Sequence, residues 1–135
     1  MKYLLLPVLF VCTMMSMSSC KEDDLPIDAP YDINITFIEP GESEIFTSGD
    51  ELHMEIDFER TGTIHYIDVL AMNETTGDTI YYSGEIHADA ENFYSFHEHQ
   101  DLSIAVLSNC KVVASSWEHD PIDKISEEIH FTVNP

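Results

Sequence analysis

Leu52-His53-Met54-Glu55-Ile56-Asp57-Phe58-Glu59 alternates without a break. Leu52, Met54, Ile56 and Phe58 interleave with His53, Glu55, Asp57 and Glu59, and a period of two marks a strand with one buried and one wet face. A helix would scatter the same apolar residues around its circumference. Ser48-Gly49-Asp50 introduces the run, and Arg60-Thr61-Gly62 reads as its end.

Working outward, the same period recurs. Ile33, Ile35 and Phe37 form a first strand, closed by a turn at Pro40-Gly41. Thr63 to Met72 is a third strand, apolar on both parities and therefore central. Asn73 to Gly77 reads as a loop and Thr79 to Tyr82 as a fourth strand. Gly84 to Asn92 is polar and loop-like, and Phe93 to His99 is a fifth strand. Ile104 to Leu107 reads as a short edge strand or a loop, and Cys110 to Trp117 as a further strand. Lys124 to Val133 is the last, although Asp120-Pro121 is also able to start a turn of helix over 121–127. About seven short strands in a hundred residues, with turn signals between them, predict an all-β sandwich spanning residues 32–135.

Charge narrows the partners. Five basic residues face 26 acidic ones, for a formal net charge of −21. Such a surface repels nucleic acid and anionic lipid. Cations, cationic proteins and neutral glycans remain as partners.

The beginning of the chain has a different character. Lys2, the apolar run Leu4 to Val11 and the small residues after it have the anatomy of a secretory signal over residues 1–19, too short to span a bilayer as a helix. Met17-Ser18-Ser19-Cys20 resembles the lipobox of bacterial lipoproteins, with Met for the usual Leu and Ser19 for Gly or Ala. The resemblance implies that Cys20 is lipidated and anchors the chain to a membrane. Lys21-Glu22-Asp23-Asp24 resembles the lipoprotein export signal of Bacteroidota, which implies an outer-membrane protein facing the cell surface, the periplasmic face being the alternative. Residues 20–31 read as an acidic tether, broken by Pro26 and Pro30. With Cys12 in the leader and Cys20 acylated, Cys110 has no partner for an internal disulfide, so the domain must rest on its core.

Gly49 to Ile56, Ile64 to Val69, Val112-Val113-Ala114 and the closing Ile129 to Val133 together resemble an uncharacterised family of Bacteroidota lipoproteins. The resemblance covers residues 32–133 and implies an immunoglobulin-like sandwich with no assigned activity. It carries no site residue. Asp78-Thr79-Ile80 resembles the O-glycosylation site of the same group, which would place a sugar on Thr79.

Seven histidines in an acidic domain direct attention to metals, because imidazole and carboxylate are the ligands of Zn²⁺ and Cu²⁺. On a strand, His97 and His99 of Phe96-His97-Glu98-His99 share one face. In an immunoglobulin-like sandwich the second and fifth strands are neighbours, so His53 and Glu55, outward on the second, are placed to join His97 and His99. Phe93 has the same parity as His97, which leaves the face of the fifth strand open. A second candidate is the loop His119, Asp120 and Asp123, suited to Zn²⁺ or, through carboxylates, Ca²⁺. Cys110 reads as a buried, inert thiol. Tyr81-Tyr82, Phe93-Tyr94 and Trp117 form either core or a binding patch. No nucleophile elbow, phosphate loop or His-Glu-x-x-His is present, and a small hydrolase built on paired acids ranks last. The expectation is a binding module rather than an enzyme, with Zn²⁺ or Cu²⁺ as its ligand; the alternative is a protein- or glycan-binding component of a surface complex.

Overall fold

The computed structural model describes residues 31–135; the leader, Cys20, the acidic residues 21–24 and nearly all of the tether lie outside the described residues. Seven strands follow in chain order: β1 (Asn34–Glu39), β2 (Glu44–Thr47), β3 (Glu51–Asn73), β4 (Thr79–Tyr82), β5 (Ile86–Asp101), β6 (Ser108–Trp117) and β7 (Ile125–Asn134). The described residues form an all-β, immunoglobulin-like sandwich.

β3 organises it. Leu52, Met54, Ile56 and Phe58 are all fully buried, as the alternation requires. The strand does not stop at Arg60-Thr61-Gly62 but continues to Asn73. Gly62 has φ +106°, a value that L side chains rarely adopt. There the strand bends and passes from one layer into the other rather than ending. The buried parity is kept through Ile64 and changes beyond it, to Ile67, Val69 and Ala71, where the β3–β5 register shifts a second time. The first half of β3 pairs with β1 and with the second half of β5. Its second half pairs with β4, the first half of β5 and β6. β6 carries β7, and β7 pairs in parallel with β2. The two layers are therefore one sheet folded over, with the apolar faces of β3, β6 and β7 enclosed between them. Each fully buried apolar side chain contributes about 1.5–3 kcal/mol.

A further expectation needs correction, and two elements add to the reading. Gly84 to Asn92 is not a loop, because Ile86 onward is the first half of β5 and lies against Thr63 to Ile67. Ala88 and Ala90 are poor strand formers, so the alternation was faint, and pairing with β3 decides the outcome. Glu44–Thr47 is a strand, held by the edge of β7 despite its exposed side chains. At the other end of the chain, Pro121–Asp123 is one turn of 3-10 helix capped by Asp120, whose carboxylate accepts from Ile122 N at 3.0 Å, and β7 starts after it. Ile104 to Leu107 is loop.

Candidate metal centre

The register of the β3–β5 ladder builds the site. His53 lies opposite His99, and Glu55 opposite His97. In β5, Tyr94 is half-buried and Phe96 buried, while Phe93, Ser95, His97 and His99 are exposed. The face of the fifth strand is thereby decided. Phe93 goes outward with the histidines, and the imidazoles of two strands meet on one surface.

They converge at their tips. His53 Nε2 is 2.5 Å from His97 Nε2, and His97 Nε2 is 3.1 Å from His99 Nε2. The His53 and His99 rings stack with centroids 4.4 Å apart and planes 11° apart. Each residue offers one nitrogen within 4.8 Å of the others. The far nitrogens are held by carboxylates. His53 Nδ1 is 2.5 Å from Glu39 Oε2, and His99 Nδ1 is 2.7 Å from Glu51 Oε1. An ionised carboxylate only accepts, so each of these Nδ1 atoms carries the hydrogen and donates. That tautomer leaves the Nε2 lone pairs of His53 and His99 aimed inward.

Nε2 of His97 has at most one hydrogen to give and two lone pairs facing it. One cation among the three satisfies every lone pair at once. A tetrahedral ion with Zn–N near ~2.1 Å sets its nitrogens ~3.4 Å apart, which the exposed rings reach by spreading by under about 1 Å. Three protein ligands leave a fourth position open. The carboxylates behind the His53 and His99 imidazoles are the arrangement that orients metal-binding histidines.

Sequence reasoning put His97 and His99 on one face, left open whether that face is the outward one of His53, and missed Glu39 and Glu51. Glu55 stands opposite His97, yet the carboxylates at the histidines come from the ends of β1 and β3. Glu39 reaches the site because the β1–β3 register slips between Phe37 and Glu39. Strand alternation gives no sign of such a slip.

The other candidates disperse. Asp120 caps the 3-10 turn, and His119 packs its ring 4.7 Å from that of His65, so His119, Asp120 and Asp123 form no three-ligand group among the described residues. Cys110 is free and fully buried. Burial, helped by nearby Glu74, pushes its thiol up to about 11, so it is neither a thiolate ligand nor a nucleophile at neutral pH. Trp117 is buried, Tyr81 packs on Phe96 and Tyr94 on Phe58, while Tyr82 and Phe93 are exposed. Thr79 is exposed at the start of β4.

No family model matches the chain, and no curated protein does. Among solved structures, the chain is similar to part of a β-glucosidase from Listeria innocua in complex with glucose, at 10% identity and a TM-score of 0.51 over 77% of this chain. It spans 16% of the length of that enzyme. It is also similar to the fibronectin(III)-like modules of Clostridium thermocellum CbhA, at 14% identity and a TM-score of 0.45, covering 75% of this chain and 96% of that one. At 10% identity, the likeness to the Listeria structure is one of fold.

Proposed function

We propose that this domain is a binding module, not an enzyme, tethered outside the cytoplasm by a lipidated Cys20, and that it holds a transition-metal ion on His53, His97 and His99. One observation carries the metal reading: three imidazole Nε2 atoms meet on one face, two of them oriented by carboxylates on Nδ1. The ligand set is nitrogen with an open position, which suits Zn²⁺ or Cu²⁺ rather than the oxygen-seeking Ca²⁺ or Mg²⁺. Net charge supports capture, because a strongly negative surface raises the local concentration of cations. The anchor and the surface location rest on the residues around Cys20.

Calorimetric titration with Zn²⁺ and Cu²⁺ tests the centre. The chain is expected to bind at micromolar concentration or tighter, and a His97→Ala/His99→Ala variant to bind fewer ions, having lost the one held on His53, His97 and His99. Equal binding by both would overturn it. For the anchor, a Cys20→Ala chain that still takes up labelled palmitate would sink the lipidation reading.

A further inference from the structure

A second cluster of metal-ligand side chains sits at the other end of the same β3–β5 ladder. His65 Nδ1 and His87 Nε2 lie 3.2 and 3.1 Å from a single oxygen, Asp89 Oδ1. The three residues offer ligand atoms within 4.8 Å of one another. A third imidazole, His119, has its ring 4.7 Å from that of His65.

The backbone is shaped to make this cluster. In the β3–β5 ladder, Tyr66 pairs with His87 and Ile64 with Ala90, so one residue of β3, His65, faces two of β5. That is a β-bulge, a device that re-aims a side chain. Asp89 is one of these two β5 residues and has φ +43°, a left-handed conformation uncommon for residues other than Gly, Asn or Asp. The bulge and the positive φ bring the Asp89 carboxylate between two imidazoles on different strands. His87 is itself held in place. Its ring stacks on Tyr66 at 4.6 Å and 11°, and Tyr66 stacks on the buried Trp117 at 5.7 Å and 11°.

We propose that His65, His87 and Asp89 form a second divalent transition-metal site, with His119 or water completing it. Two neutral imidazoles and one carboxylate are a common ligand set for Zn²⁺, and it differs from the all-imidazole set of the first centre. The two sites are separate. His53 and His65 are twelve residues apart on β3, up to about 40 Å of strand. The second site does not depend on the first and goes beyond it.

Titration with Zn²⁺ alone, after chelator treatment, separates the two. The wild-type chain is expected to take two ions, and the His97→Ala/His99→Ala chain one. In that second chain, the ¹⁵N imidazole resonances of His65 and His87 should move on adding Zn²⁺. Asp89→Asn, which keeps the shape of the side chain, should weaken the remaining ion at least about tenfold, and His65→Gln/His87→Gln should abolish it. The proposal is overturned if the His97→Ala/His99→Ala chain takes no ion, or one that shifts neither resonance. A wild-type chain that takes a single ion, lost only on changing His65 and His87, would instead remove the first centre and leave this one standing.

Discussion

A carboxylate behind an imidazole does two things to it. It holds the hydrogen on the near nitrogen, and it raises the basicity of the far one. Glu39 does this for His53, and Glu51 for His99. Either Glu39→Gln or Glu51→Gln should therefore weaken Zn²⁺ binding about 10–100-fold without touching a ligand atom. Both side chains are more than half exposed, so the unfolding midpoint without metal should barely move, and a pair of titrations with a urea melt checks both statements. At this scale the imidazoles are legible and the carboxylates are not. Period two puts His97 and His99 on one face, and strand adjacency brings His53 across. Glu39 depends on a register slip, and Glu51 on how far the β3–β5 pairing extends past Leu52. Asp89 is hidden for a similar reason, since a bulge has no period.

Among the elements, β3 carries the fold, and its two faces make opposite predictions. Phe58 is fully buried in the core, and Phe58→Ala should cost about 3–5 kcal/mol through lost burial and the cavity left behind. Asp57, its neighbour on the wet face, should tolerate Ala to within about 0.5 kcal/mol. Urea unfolding of the two variants measures the contrast, and equal losses would contradict the assignment of faces. The alternation of Leu52 to Phe58 and the mixed parity after Thr63 suffice to place both halves of this strand. They do not reveal that the halves are joined, because Arg60-Thr61-Gly62 has the composition of a turn. Glycine at φ +106° is compatible with either outcome, and the facing Asn92 tips it toward a bend: its side-chain oxygen accepts from Gly62 N at 3.0 Å. Ile86 to Ala90 failed as a strand signal because small alanines follow Ile86 at its inner positions, and only the finished partner strand gives them something to cover.

For the whole molecule, a charge of −21 means that carboxylates repel one another throughout, so added salt should stabilise the fold. The few cations are placed against this. Lys111 Nζ binds Glu128 at 2.8 Å, which lowers the Glu128 carboxyl and, by the same hydrogen bond, raises the Lys111 ammonium. The Glu128 contribution is present above the ordinary carboxylate range and is lost as pH falls through its lowered value. That of Lys111 is present below the ordinary lysine value and lost as pH rises through its raised one. The urea midpoint of a Glu128→Gln variant should therefore vary less with pH than wild type on both the acid and the alkaline limb. A final consequence comes from the parallel pairing of β2 with β7. Its four register pairs run from Glu44–Phe131 to Thr47–Asn134. Pull on the chain ahead of β2 and on the end of β7, and these two strands slide along each other. All of their cross-links are then loaded together instead of opening one after another. That pair of strands is a shear joint for tension between the segment ahead of β2 and the end of β7.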